Sequence, residues 1–237
     1  MSDGLIAAIG RQQGLEREMQ VLANNIANSS TVGYKSDRAI FSEFLVGRGA
    51  GTDSLSIGNL GAHAFNLGPG SLEFTGGDLD LAIEGEGYFE VQTELGNRIT
   101  RAGNFRLNAN GTIVDQNGNA VIGAGGNPIT LPETVTAINV AADGTVSADG
   151  NIVDRIALVV PGGEISRDTS VYFQSDNATI PTADANIIQG ALEGSNVSPV
   201  EEIARLIEVQ RAYEASQALM QNEDDRLLQL VAIVRDR

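Results

Sequence analysis

Apolar residues at both ends of this 237-residue chain are spaced mostly by three and four, whereas in the middle they alternate with polar ones between closely set turns. A period near 3.6 commits a segment to helix and a period of 2 to strand, so the order must be helix, long β-rich middle, helix. From Leu5, apolar residues recur at Ile9, Leu15, Met19, Leu22 and Ile26, one face of a helix of about 25 residues. Asn28-Ser29-Ser30-Thr31 and Gly33 end it with turn formers. At the far end Ile203, Leu206, Gln210, Tyr213, Gln217, Met220, Asp224, Leu227, Val231 and Val234 form a heptad seam that starts after Ser198-Pro199. Gln210, Gln217 and Asp224 share one heptad position, where a polar group costs stability but fixes register and partner number.

In the middle, Leu79, Leu81 and Ile83 alternate with polar residues as a half-buried strand does. Glu84-Gly85-Glu86-Gly87 marks a turn, and Tyr88-Phe89-Glu90-Val91 resumes as strand. Asn110-Gly111, Asn117-Gly118, Asp143-Gly144 and Asp149-Gly150 accept the positive φ of tight hairpins, so they mark successive β-turns. Residues 152–160 and 170–174 supply further strands, and the Gly-, Ser- and Asn-rich stretch up to residue 70 reads as an extended connector. A compact β domain cannot cover two long helices with apolar stripes. They must pair with each other or with other copies of the chain, and this topology points to assembly.

Of the formal charge of −16, −12 lies between the two helical ends, which at −1 and −3 are close to balanced. So acidic a body repels phosphate backbones, which argues against nucleic-acid binding. Balanced ends suit segments that pack closely against copies of themselves. Apolar residues make up 42% of the chain, enough for a buried core. The absence of cysteine excludes disulfide scaffolds and thiolate metal sites. No run approaches the ~20 apolar residues that cross a bilayer, so the chain is not expected to span a membrane. Met1-Ser2-Asp3-Gly4 has no basic region, and Arg11, Gln12 and Gln13 interrupt the apolar residues that follow, so no cleaved signal peptide is expected.

Catalytic groups are sparse. The one histidine, His63, falls in the Gly-rich stretch, where an exposed position suits it better than a catalytic one. Paired carboxylates hydrolyse glycosidic bonds, but Asp80, Glu84 and Glu86 alternate with apolar residues as an exposed strand face does. Residues 115–119 lack the ligand spacing of a calcium loop, and the glycines at 85, 87, 123, 125 and 126 follow no phosphate-binding pattern. No enzyme activity and no catalytic, cofactor or metal residue is expected.

Four motifs, in order, carry a family resemblance. Leu22-Ala23-Asn24-Asn25-Ile26-Ala27-Asn28, continuing to Thr31-Val32-Gly33-Tyr34-Lys35, resembles the N-terminal signature of the flagellar rod and hook proteins. Residues 79–89 resemble the family's first β segment, and Thr100-Arg101-Ala102-Gly103-Asn104-Phe105 its sequel. Glu193-Gly194-Ser195-Asn196-Val197, followed by Gln210-Arg211-Ala212-Tyr213-Glu214, resembles the C-terminal signature. The short middle region, with Val121–Gly126, Pro128-Ile129-Thr130 and Ala141–Thr145, is most similar to the proximal rod members.

The resemblance implies an α+β fold, with N- and C-terminal helices paired as a coiled-coil-like inner layer and a central β-rich domain. The corresponding division is a helix and turn over 1–46, a connector over 47–75, the β domain over 76–190 and the heptad helix over 191–237. It implies a structural subunit of the basal-body rod, the drive shaft that carries torque across the periplasm. Its partners would be copies of itself, other rod proteins, the flagellar export apparatus and the bushing rings. Export would be of type III, without a cleaved signal. Residues implied at the subunit interface are Leu15, Met19, Leu22, Asn24, Asn25, Ile26 and Asn28 on the first helix, then Ser195, Asn196 and Val197. On the second helix they are Leu206, Gln210, Tyr213, Gln217, Met220, Leu227 and Val231. Carboxamides both donate and accept, so Asn24, Asn25 and Asn28 suit either inter-subunit register or a polar helix end stopped by Gly33. A distal rod subunit and, further off, a glycan hydrolase are the competing functions.

Overall fold

A computed structural model describes residues 3–46, 55–132, 135–182 and 184–235. Helix α1 (Asp3–Ala27) leads into a long hairpin of β1 (Asp37–Val46) and β2 (Leu55–Phe65). There follow β3 (Leu72–Phe74), β4 (Leu81–Glu84), β5 (Tyr88–Thr93), β6 (Gly96–Thr100), β7 (Arg106–Leu107), β8 (Ile113–Val114) and β9 (Ala120–Val121). Strands β10 (Ile138–Val140), β11 (Thr145–Ala148) and β12 (Asn151–Arg155) form a three-stranded meander. The rest are β13 (Leu158–Val160), β14 (Ile165–Arg167), β15 (Tyr172–Ser175), β16 (Ile180–Pro181), β17 (Asn186–Gln189) and β18 (Ala191–Glu193), before helix α2 (Pro199–Arg235).

The chain folds into two compact units, each assembled from separate stretches of sequence. One comprises Met1–Ser29, Ser36–Leu67 and Val197–Arg237; the other comprises Ser30–Lys35 and Gly68–Asn196. In the first, α1 packs against both α2 and the β1/β2 hairpin. In the second, β5 and β6 sit at the centre of a nine-stranded antiparallel sheet, while β4 pairs β17 and β3 pairs β18.

The expected α+β class is overturned: strand residues outnumber helical ones among those described, and the fold is mainly antiparallel β. The two terminal helices do pair. The difference lies in residues 37–46 and 55–65, expected within a turn and a connector, which pair as two strands instead. Their register runs from Asp37↔Phe65 to Val46↔Leu55 and shifts between Ile40 and Phe41, whose partners are Ala62 and Leu60. Gly61 is the extra residue, and a one-residue bulge interrupts the period-2 alternation by which a strand is recognised. Leu55 and Ile57 therefore alternate in one phase and Leu60, Ala62 and Ala64 in the other, which disguises the strand as irregular sequence. His63 pairs in β2 opposite Ala39; its side chain lies outside the described residues.

The core of the β unit gathers around Phe89, which meets Phe105 edge-on at 5.1 Å, with Leu81, Ile113, Ile129 and Ile156 fully buried nearby. Strand β4, read as half-buried, is buried on both faces through Leu81, Ala82 and Ile83. The Asn-Gly and Asp-Gly pairs do form turns, with φ of 76° at Gly111 and 89° at Gly118. Backbone also approaches backbone closely: a Cβ on Gly103 would lie 1.7 Å from the Leu81 carbonyl oxygen, which accepts no displacement without breaking the β4 edge. Gly103→Ala is therefore expected to lower stability by about 2 kcal/mol or more. Chemical denaturation of the purified chain checks this; an unchanged midpoint would contradict the packing described.

Candidate functional site

The residues with functional promise are those of the terminal segments and the charges at their roots. In the helical unit, α1 and α2 run antiparallel, since Asn25 meets Glu202 while Glu18 meets the later Arg205. The Glu18 carboxylate accepts from Arg205 Nη2 at 3.0 Å and Nε at 3.1 Å. Asn25 is 1% exposed and its carboxamide behaves like an extra peptide group: Nδ2 donates to the Asp37 carbonyl at 2.9 Å and Oδ1 accepts from the Asp37 amide at 3.0 Å. The same Nδ2 reaches Glu202 Oε2 at 3.2 Å. One side chain thus ties α1, the start of β1 and the first turn of α2.

The other expected interface residues divide by face. Leu22 is buried and Leu15, Met19 and Ile26 are half-buried against the same unit, while Asn24 is exposed. Asn28 is half-buried and caps the helix end, its Nδ2 donating to the Asn24 carbonyl at 2.9 Å. On α2, Leu206, Tyr213 and Met220 are half-buried as the heptad seam requires. Gln210 and Gln217 are exposed; the position facing α1 is instead Val209, 3% exposed, followed by half-buried Ser216. The seam therefore runs 202, 206, 209, 213, 216, 220, which keeps the spacing of three and four but selects smaller residues. The side chains of Leu227 and Val231 lie outside the described residues.

In the β unit, sequence reasoning quoted Lys35, Arg101 and Glu193 within motifs but did not join them. Glu193, at the end of β18, is 1% exposed and accepts Lys35 Nζ at 2.5 Å on Oε1 and Arg101 Nη1 at 3.1 Å on Oε2. Oε1 also takes the Gly70 amide at 3.0 Å, and the Glu193 backbone carbonyl takes the Gly33 amide at 2.7 Å. Lys35 is fully buried and gives a second hydrogen bond to the Gly68 carbonyl at 2.8 Å. Arg101 also donates to the carbonyls of Ile83 and Gly85, from Nη1 at 3.2 Å and Nη2 at 2.8 Å, while its buried Nε has no hydrogen-bond partner among the described residues. Burial pushes the Lys35 ammonium below the ordinary lysine range, against the pull of Glu193. The half-buried Asn196 donates its backbone amide to the Tyr34 carbonyl at 3.3 Å and its side chain to the Gly68 carbonyl at 2.9 Å. Ser195 beside it is half-buried, and Val197 begins the helical unit's last stretch at 8% exposure. The Arg167 guanidinium lies over the rings of Tyr34 and Phe173 at 4.5 and 5.0 Å and also donates to the Lys35 carbonyl. Gly33 has φ of 69°, and a Cβ there would lie 2.2 Å from the Ala102 nitrogen, so only glycine lets this turn seat.

The loop after β8 shows what its carboxylate does. Asp115 Oδ1 accepts the amides of Asn117 and Asn119, both at 2.9 Å, while Oδ2 takes the Tyr172 hydroxyl. The Asn117 and Asn119 carboxamides donate to the same hydroxyl oxygen at 2.8 and 2.9 Å. The carboxylate is engaged in holding a hairpin. No group of residues suited to a metal ion is found among the described residues, and no helix there is long and apolar enough to cross a membrane.

Three family descriptions match successive stretches: "Flagella basal body rod protein" over residues 5–35, "Flagellar hook protein FlgE/F/G D1 domain" over 82–148 and "Flagellar basal body rod FlgEFG protein C-terminal" over 188–233. Each contributes one charge of the buried cluster: Lys35, Arg101 and Glu193. The flagellar basal-body rod protein FlgF of Caulobacter vibrioides is 39% identical over 233 residues, 94% of each chain. FlgF of Salmonella typhimurium is 33% identical over 248 residues, 95% of each. The rod protein FlgG of Bacillus subtilis is 30% identical over 269 residues, 99% of this chain and 100% of its own.

Burial, reinforced by the hydrogen bond to Asp115, pushes the Tyr172 phenol up to about 12. An unfolded tyrosine loses its proton near pH 10, so this contribution is fully present below pH ~10 and is lost as pH rises through about 12. The unfolding midpoint of the native chain is expected to fall across that window, and Tyr172→Phe to remove that part of the fall. Parallel curves for the two proteins from pH ~9 to ~12 would refute the assignment.

Proposed function

The chain belongs to the flagellar basal-body rod protein family, and we propose that it is a proximal rod subunit that polymerises through its terminal helices. The observation that supports this most is a second apolar face on α2. Val200, Ile203 and Ile207 are 78%, 46% and 46% exposed, and at 3.6 residues per turn they centre roughly 125° around the helix from Glu202, Leu206 and Val209. A helix that is apolar on two faces has one too many for a single neighbour. Helix α2, of 37 residues, also outruns the 25-residue α1. At 1.5 Å per residue the excess is about 18 Å, and because the pair is antiparallel it falls at the C-terminal end of α2. Leu228, 68% exposed, lies on that extension. Subunits that dock these surfaces onto neighbouring copies or other rod proteins would build a continuous shaft.

Transmission of torque across the periplasm is the work proposed for that shaft, with export through the flagellar type III apparatus beforehand and the bushing rings around it afterwards. The role is mechanical. Proximal placement is favoured by the relatives named FlgF, at 39%, 36% and 35% identity. Relatives named FlgG match nearly the whole chain at 30% and 31%, which keeps distal placement as the second reading.

The test is complementation of a strain lacking the gene. Ile203→Asp with Ile207→Asp changes two exposed side chains, so the purified variant is expected to unfold within about 1 kcal/mol of the parent. In cells it is expected to abolish rods in isolated basal bodies and swimming in soft agar. Normal rods from this variant would rule out the α2 face as an interface. In the null strain, loss of the whole rod supports the proximal position and a retained proximal stub the distal one.

A further inference from the structure

The charged cluster of the β unit is closed by the residue that comes last in the chain. Glu193 follows Lys35 by 158 residues and Arg101 by 92. Without it the closed unit would hold a fully buried ammonium and a guanidinium 5% exposed, with the carbonyls of Gly68, Ile83 and Gly85 as their remaining acceptors among the described residues. Breaking such a network from the acidic side leaves cations with no counter-charge in a low-dielectric interior, which is far costlier than never forming it. The open arrangement, with Lys35 and Arg101 in water, then prevails.

Glu193 also touches every segment by which the chain enters or leaves this unit. Its backbone carbonyl holds Gly33, its Oε1 holds Lys35 and Gly70, and three residues on Asn196 holds Tyr34 and Gly68. Ser30–Lys35 enters from one stretch of the helical unit, Gly68 follows the hairpin and Asn196 precedes α2. We propose that Glu193 is a closing latch: the β unit shuts only when this carboxylate arrives, and it then fixes all three crossing segments in one cooperative step. A chain still lacking its last strand stays open at both ends whatever the finished protein assembles into.

Amide hydrogen exchange on the full chain, read residue by residue, tests this. The amides of Gly33, Gly70 and Asn196 are expected to exchange with one opening, their protection factors agreeing within about threefold although they span the sequence. Glu193→Gln keeps the shape but turns a donor toward one of the two cations. It is expected to speed exchange at all three amides by about tenfold or more, while the core amides of Leu81 and Ile113 change less. Unrelated protection of the three amides in the native chain, or acceleration at Gly70 alone, would overturn the latch. If the variant does not fold, the native chain's three protection factors decide the matter.

Discussion

Three peptide segments far apart in sequence meet at the carboxylate of Glu193, and both of its oxygens are taken by buried cations. A buried ion pair of this kind adds little net stability over well-packed apolar residues, because desolvation cancels most of the attraction. What it adds is selectivity. A lysine and an arginine that must share one glutamate's two oxygens restrict the arrangement of their three segments, whereas apolar side chains there would tolerate sliding. The glycines around it serve the same end: Gly33 lets backbone lie against Ala102, and Gly70 brings its amide to the carboxylate. The Arg167 guanidinium over Tyr34 and Phe173 seals the same region with a cation held against aromatic faces.

The helical unit solves a different problem. Helix α1 packs against both α2 and the hairpin, while α2 leaves a second apolar face exposed. Asn25 uses all of its carboxamide on Asp37 and Glu202, which sets where α1 ends, where β1 begins and how α2 starts against both. The group of asparagines that invites an inter-subunit role thus includes one residue with partners inside the chain. Asn24, exposed beside it, remains turned outward.

Local periodicity made much of this legible in the amino-acid sequence. Both helices, the stop at Asn28–Gly33, the start at Pro199 and the Asn-Gly and Asp-Gly turns follow from spacing and residue type, because each depends on neighbours within a few positions. The β1/β2 hairpin did not, since the bulge at Gly61 breaks the alternation that identifies a strand. Strand β4 looked half-buried because Ala82, small and ambiguous in a pattern, occupies the second face; its burial depends on β17 arriving beside it. On α2, two registers of three and four fit the spacing after Leu206, one through Gln210 and Gln217 and one through Val209 and Ser216, and burial within the chain falls on the second.

By itself, the sequence determined two amphipathic ends, an acidic β-rich middle and the motifs that mark the family, since propensity, charge and turn chemistry act over short distances along the chain. Only the tertiary structure decided that Lys35, Arg101 and Glu193 form one cluster, and that the fold is mainly β. Both rest on pairings between segments far apart in sequence, where the gain comes from shared desolvation and strand hydrogen bonds that no single segment displays.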